Sequence, residues 1–520
     1  MQKLSEQLKT NMTEMGIDID MTLALLQRIQ AGEFDNLAPL QMDSMPQIDG
    51  RQIVDTSKDL SLCIPWKTLE YSCQELGLDI DTSSLSGAQS DPHDPQLAQL
   101  DSQALKEIGL ALSQITAYGV LNGGSATSYC DTKKNRGFAP VLFDSVADEF
   151  QTIAQQATGR PKGLTPAWIN PDGSPGASFL ELKMRSLLIK LLRNQQRPGA
   201  QPPRFAPFFQ MSSVHTHDEL QSAYDDFRQS PLLAELIQTT GVDITRVMDA
   251  TQPLLAAYTH SREGKPKQVF ANAYGRPDTP VAVPGGHGQN FQVLADVYRK
   301  LYEQGARFVY LGNVDNIGFT VEPESLAWFA LSDRPAAFEF SFKTPVDVKG
   351  GILIRDTQGQ LTCGDIGPAV SPEQVAQAEA GGTPVLFNAA TGLFRLDYLI
   401  KNLDRIIQQL PVRITDQDKD PGTYSQAEQV TWEVIGMIEK PVIFAVNKYR
   451  RFLAAKLLME NLLTSGRIGR DSFEDAGQLA LKSESSRLHQ GLNEILTNEY
   501  GMQLVDGQWV PLSCQQLLAE

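Results

Sequence analysis

The chain has 520 residues, 41% of them hydrophobic and 21% charged, and a formal net charge of −17. That length exceeds one ordinary domain and supplies ample core, in the proportions of a soluble globular protein. The acidity argues against nonspecific nucleic-acid binding and against an anionic membrane surface, and no apolar run is long enough to span a bilayer. The polar N-terminal sequence lacks a signal-peptide core. Five scattered cysteines without a CxxC pair suggest neither a disulfide framework nor a zinc cluster, so a reducing cytoplasm is expected.

Residues 1–100 read as a helical N-terminal region with loops. Apolar spacing predicts an amphipathic helix over 21–29, and the Ser-, Asp-, Gly- and Pro-rich stretch 81–95 reads as a linker. From 101 to 448, strand-like runs alternate with helical ones. Phe308, Phe338, Ile352, Val385 and Val442 each open an apolar run of strand type. Ser178 with Glu181 three residues on has capping-box spacing and opens a helix, and a second helix is expected from Gln289, with Gly305 just past its end. This alternation predicts an α/β fold, a Rossmann-like sheet with helices on both faces. Residues 449–520 read as a helical C-terminal region, with Phe452, Leu453, Leu457, Leu458, Leu462 and Leu463 as its apolar stripe.

Several strand ends run into loops that suit phosphate chemistry. The run ending at Leu121 meets Asn122, Gly123 and Gly124, and the lysines Lys133 and Lys134 follow. Glycines without Cβ atoms let phosphate approach backbone N–H groups. As a bare pattern, Gly-Gly after an apolar run is a turn. Residues 283–291 place His287 among Gly285, Gly286 and Gly288, which makes either a loop that presses against a planar ligand or a Gly-rich surface turn. The strand from Phe308 runs straight into Asn313, Asp315 and Asn316. A hard oxygen ligand there suits Mg²⁺ shared with a phosphate; the competing reading is an Asx-turn. Lys343 and Lys349 flank Asp347, ahead of Gly350 and Gly351; this is a phosphate clamp or a surface salt bridge. His215 and His217 lack a third partner for zinc, and Lys448 closes another apolar strand.

Taken together, Leu121–Gly124, Met211–Thr216, Gly286–Gly288, Asn313–Asn316, Asp347–Gly351, Phe387-Asn388 and Lys448 occur in the order of a known family. Over roughly residues 115–455 the chain resembles the UTP–glucose-1-phosphate uridylyltransferases of eukaryotic type. The resemblance implies a nucleotidyltransferase fold with a mixed central sheet. It implies a transferase that makes UDP-glucose and pyrophosphate from UTP and glucose 1-phosphate with Mg²⁺, in carbohydrate metabolism. Under it, Leu121, Asn122, Gly123 and Gly124 cradle nucleotide, Lys134 meets the UTP phosphates, and Gly286 and His287 lie by uridine and sugar phosphate. Asn313 belongs to the substrate site, Asp315 holds Mg²⁺, Asn388 contacts the sugar, and Lys349 and Lys448 bind phosphate.

The chain also departs from the family pattern. Ser125-Ala126-Thr127 replaces a Gly-containing continuation, and Thr132-Lys133-Lys134 stands for Gly-Pro-Lys. Helical residues stand where the family carries a C-terminal β-helix, so oligomeric state does not carry over. A related enzyme using an N-acetylhexosamine 1-phosphate, or a silent nucleotide-sugar-binding protein, are the alternatives.

Overall fold

The run Thr116–Leu121 is buried along its whole length, as a strand must be when helices cover both faces of a parallel sheet. It lies inside an 11-stranded sheet of a computed structural model that describes residues 4–34, 40–197, 199–200, 205 and 207–519. The strands run in the order Ile53–Asp55, Val442–Val446, Ala336–Phe342, Leu386–Arg395, Phe308–Asn313, Thr116–Leu121, Phe208–Ser213 and Met248–Gln252. Along this path Leu386–Arg395 pairs antiparallel with both neighbours and the other pairings are parallel. Met42–Ser44, Gly351–Asp356 and Leu361–Asp365 extend the sheet as an antiparallel branch. This is the mixed α/β architecture expected, and every strand expected from the apolar runs is present.

Thr116–Leu121 and Phe308–Asn313 are paired in register through Leu121 and Asn313. Their carboxyl ends therefore deliver the Gly-Gly loop and the Asn313–Asn316 turn side by side, where ligands of open α/β sheets bind. The helix Phe179–Gln195 carries the Ser178–Glu181 capping box. The helix expected from Gln289 is split at Leu294 into Asn290–Val293 and Ala295–Glu303. Gly305 follows at φ 109°, a conformation that favours glycine.

The terminal regions are less helical than their composition suggests. The helix Ile19–Gln30 forms as expected and packs on Leu254–Ala256, where Thr22 accepts the Ala256 N–H at 3.1 Å. Beyond it, Ile53–Asp55 joins the central sheet, and Leu62–Pro65, Ala88–Ser90 and Leu97–Leu100 form a separate three-stranded sheet. Part of the expected linker is thus a paired strand, since pairing depends on partners that local composition does not reveal. In the C-terminal region the stripe from Phe452 becomes helical only at Leu458–Thr464. Residue Leu453 gives its N–H to Asn316 Oδ1 and its carbonyl to the Ile317 N–H, which draws the chain out of a helix. The helix Leu479–Asn498 is followed by the hairpin Met502–Val505/Gln508–Pro511.

Replacing Ser178 by Ala removes one arm of the capping box and should lower unfolding free energy by ~1 kcal/mol, read as a lower urea midpoint at unchanged slope.

Candidate active site

Asn122 is fully buried, and its amide ties three segments together. Nδ2 donates to Gln210 Oε1 at 3.1 Å, and Oδ1 accepts the Gly163 N–H at 3.0 Å. Gly123 follows in close quarters: a Cβ there would lie 3.1 Å from Gln252 Oε1, so this turn has no room for a side chain that reaches further. Leu121 completes the loop's root, its carbonyl accepting the Val314 N–H at 3.4 Å.

After Gly124 the chain leaves the site through three helices, Thr132–Phe138, Pro140–Asp144 and Ala147–Ala157, and then returns. Ala126 N–H bonds Arg160 O at 2.9 Å, and Lys162 N–H bonds Gly124 O at 2.9 Å. The lysine that the fold sets against the Gly-Gly loop is therefore Lys162. Lys134 instead lies on the exposed first turn of the excursion, its Nζ bonded to Ser128 Oγ at 2.8 Å. Lys162 is 8% exposed, and its ammonium lies 3.3 Å from the Tyr129 ring centroid without a hydrogen-bond partner. Burial pulls its pKa down to about 8 against the opposing pull of Asp315 and Glu460. The Pro161-Lys162 pair was the signal in the sequence; the intervening helices hid its proximity.

The Gly285–Gln289 loop is held from two sides. Gln252 Nε2 donates to Gly286 O and to Gln289 Oε1, each at 2.8 Å. At Gly286, φ is 81° and a Cβ would meet Gln429 O at 2.4 Å, so glycine is required. His287 Nδ1 faces Thr431, 2.7 Å from its Oγ1 and 3.1 Å from its N–H. Burial, aided by the charge of Lys456, lowers the His287 pKa to about 4, which makes it a neutral imidazole at physiological pH.

Asn313, Asp315 and Asn316 take different roles. Asn316 is fully buried and structural: Nδ2 donates to Arg451 O at 2.9 Å, and Oδ1 accepts Gly318 N–H at 3.0 Å. Asn313 and Asp315 line a 240 Å³ cavity, together with His287, Asn388 and Lys456. Among the described residues no hydrogen bond reaches the Asp315 carboxylate, which leaves its oxygens for a ligand. Its backbone carbonyl accepts Ala455 N–H at 3.1 Å, bringing Lys456 to the same cavity. Lys456 was hidden in the sequence inside an apolar stretch.

Asn388 lines the cavity beside Gly351. A Cβ there would strike Cys363 Sγ at 2.3 Å and sit 3.8 Å from Asn388 Cβ. Lys448 lies deeper, 2.7 Å from Asp347 in an ion pair whose side chains are 6% and 5% exposed. Asp347 also accepts the Thr344 N–H at 2.9 Å. Lys349, Lys448 and Lys456 border a smaller 120 Å³ chamber behind the cavity.

Residues 265–487 match the family model described as UTP–glucose-1-phosphate uridylyltransferase. The chain is 23% identical over 295 residues to the UTP–glucose-1-phosphate uridylyltransferase of Astragalus penduliflorus, 55% of each chain. It is 36% identical over 73 residues to that of Encephalitozoon cuniculi, 14% of this chain and 15% of that one. The chain is thus similar to the UTP–glucose-1-phosphate uridylyltransferase family over part of its length. It spans about half the length of the relatives from Astragalus penduliflorus and Hordeum vulgare.

Solved structures carry the same fold. The UDP-glucose pyrophosphorylase of Leishmania major, a mutant in complex with UDP-glucose, superposes with a TM-score of 0.52 at 17% identity, over 89% of this chain and 79% of that one. A putative UDP-N-acetylglucosamine pyrophosphorylase from Entamoeba histolytica gives 0.50 at 17% identity, over 67% of this chain and 78% of that one.

Two stability predictions separate the lysines. Lys448→Met strands the buried Asp347 carboxylate and should cost ~3–5 kcal/mol, whereas Arg450→Ala at the exposed neighbour should cost under ~0.5 kcal/mol; denaturant titration reads both. Lys162→Met should stabilise the protein by roughly 3 kcal/mol at pH 7, since one pKa unit is worth about 1.4 kcal/mol. The sign follows from a folded pKa below the unfolded one. Burying the charge penalises folding fully below pH about 8, and the penalty fades as the pH rises toward the unfolded value. The gain should therefore vanish at high pH.

Proposed function

We propose that this chain transfers a uridylyl group from UTP to a sugar 1-phosphate and releases pyrophosphate. The observation that carries the reading is convergence. A neutral histidine, an unbonded carboxylate and a lysine line one cavity, and the strand that ends at this carboxylate is paired with the one that feeds the Gly-Gly loop, against which a buried, unpartnered lysine is returned. The names of the relatives support glucose 1-phosphate as the sugar substrate. The Entamoeba histolytica neighbour supports an N-acetylhexosamine 1-phosphate as the second reading.

A phosphate oxygen of the sugar 1-phosphate attacks the α-phosphorus of UTP in line. A new P–O bond forms to that oxygen, and the bond from the α-phosphorus to the α,β-bridging oxygen breaks, so pyrophosphate leaves with the electron pair. Alignment and charge neutralisation suffice for this, and no protein nucleophile or covalent intermediate is involved. Asn122, Gly123 and Gly124 hold the nucleotide. Lys162 and Lys456 face the developing negative charge, and Lys349 borders the chamber into which pyrophosphate can recede. Asn388 orients the sugar, and Asn313 and Gly286 shape the walls. Lys448 serves by fixing Asp347 rather than by touching phosphate.

Asp315 fits Mg²⁺ as a single free carboxylate. Among the described residues no group of three or more His, Cys, Asp or Glu could hold a metal, so an ion at Asp315 would need phosphate and water as its other ligands. Mg²⁺ there would neutralise charge on the transferring phosphate.

The five cysteines are free thiols, four of them buried. No helix among the described residues is long and apolar enough to cross a membrane, and the acidic chain is not expected to bind nucleic acid.

The test is pyrophosphate release by purified protein with Mg²⁺, UTP and a panel of sugar 1-phosphates. Release with glucose 1-phosphate is expected; a preference for an N-acetylhexosamine 1-phosphate would move the chain to the second reading, and release with none would refute uridylyl transfer. Asp315→Ala should lower turnover by about two orders of magnitude or more with an unchanged circular dichroism spectrum. The dependence of kcat/KM for UTP on pH should show an alkaline limb near about 8 as Lys162 loses its proton. Lys162→Arg should push that limb to higher pH, and an unmoved limb would detach it from Lys162.

A further inference from the structure

His287 enters the cavity with its two ring nitrogens in unlike surroundings, and the hydrogens around it can be counted. Tyr298 O–H donates to Asn290 Oδ1 at 3.1 Å. The Asn290 amide then donates one hydrogen to His287 O and one to Thr431 Oγ1, both at 2.9 Å. Tyr298, Asn290 and Thr431 are all fully buried, so no water enters this count. Thr431 Oγ1, already an acceptor, has one hydrogen to give. Its two possible acceptors are His287 Nδ1 at 2.7 Å and His287 O at 2.9 Å. The Thr431 backbone N–H has a single acceptor, Nδ1 at 3.1 Å.

The Thr431 backbone N–H is thus committed to Nδ1, and the hydroxyl of the same residue lies against that nitrogen. A hydrogen on that nitrogen would oppose the backbone N–H inside a dry pocket, a cost of roughly 1–3 kcal/mol for the stranded donor. Nδ1 must therefore carry the lone pair, and the ring hydrogen sits on Nε2. With Nδ1 turned to Thr431, Nε2 is the nitrogen left for the cavity.

We propose that Thr431 is a positioning residue whose backbone N–H locks His287 in the Nε2–H tautomer and whose hydroxyl braces the ring, so that His287 offers a hydrogen-bond donor to the phosphate oxygens in the cavity. The ligand in this statement rests on the uridylyl-transfer reading; the tautomer does not. Burial, aided by the Lys456 charge, keeps the ring neutral, so it has one ring hydrogen to place. No step of the reaction requires His287 to transfer a proton. Its donor acts as a fixed dipole, a role that depends on angle and therefore on what holds the ring. Thr431 belongs to a short helical turn, Thr431–Met437, remote in sequence from the Gly-rich loop, and touches the cavity only through His287.

The experiment has a spectroscopic arm and a kinetic arm, both on the full chain. Long-range ¹H–¹⁵N spectra of protein labelled with ¹⁵N-histidine, with His287→Gln for assignment, read the tautomer directly. A pyridine-like Nδ1 and a pyrrole-like Nε2 are expected. The reverse overturns the proposal whatever the activity. Thr431→Val keeps the shape and removes the hydroxyl. Because the backbone N–H on Nδ1 remains, the Nε2–H tautomer is expected to persist, while loss of the hydroxyl that braces the ring lowers kcat about tenfold, the weight of one hydrogen bond, and KM for UTP stays within about twofold. Thr431→Ser, which restores the hydroxyl, is expected to recover kcat and covers the case of a poorly folded valine variant. A valine variant with unchanged kcat, or a loss that serine does not recover, overturns the positioning role. If the wild-type ring shows the expected tautomer but no sugar 1-phosphate releases pyrophosphate, the uridylyl-transfer reading fails and the tautomer lock stands.

Discussion

The turn after Phe308–Asn313 has to be buried, and a buried turn leaves carbonyls that water cannot reach. Side chains from across the chain supply the missing donors. Lys183 Nζ donates to Asn316 O and, at 2.8 Å, to Phe319 O. Tyr118 O–H also bonds Phe319 O, and Tyr500 O–H bonds Ile317 O. Asn316 returns the arrangement by holding the backbone of Gly318 and Leu453 with one amide. The position of Asp315, and through Ala455 that of Lys456, depends on this one knot of hydrogen bonds. Its strands come from residues 118, 183, 453 and 500, so the C-terminal region is part of what aims the site.

The second constraint is charge. A phosphate site needs cations, yet a cation taken from water and left unpaired is costly. The chain uses two solutions. Arg451 and Lys448 are buried with carboxylate partners, Glu339 at 2.6 Å and Asp347 at 2.7 Å, and so are spent on architecture. Lys162 is buried without a hydrogen-bonded partner, softened by the Tyr129 ring and distant carboxylates. Such an unpaired group is destabilising in the free protein and is relieved by an anionic ligand. That asymmetry separates a buried cation left unpaired from one that holds the fold; under the proposed function the first is the one that meets substrate.

The three helices between Gly124 and Pro161 act on the same scheme. They carry the chain away and return it as a bridge between Ser125 and Pro161, so a lysine far along the sequence becomes the neighbour of the Gly-Gly loop. The excursion sets the distance in sequence, and the bridge sets the distance in space.

Much of this was legible from residues alone. The α/β class follows from alternating apolar periods, the start of the helix at Phe179 from Ser178 and Glu181, and the candidate loops from glycines and polar residues at strand ends. These are local signals, governed by backbone sterics and the burial of neighbouring side chains. The sequence by itself thus determined the kinds of element and the set of loops that could meet a ligand. Tertiary structure decided which lysine is free, that Asn316 is mortar while Asp315 is exposed to the cavity, that residues 88–90 pair as a strand, and which nitrogen of His287 faces Thr431. Those outcomes rest on hydrogen bonds and ion pairs between residues tens to hundreds of positions apart. Desolvation fixes their energies, and desolvation exists only once the chain has closed around them.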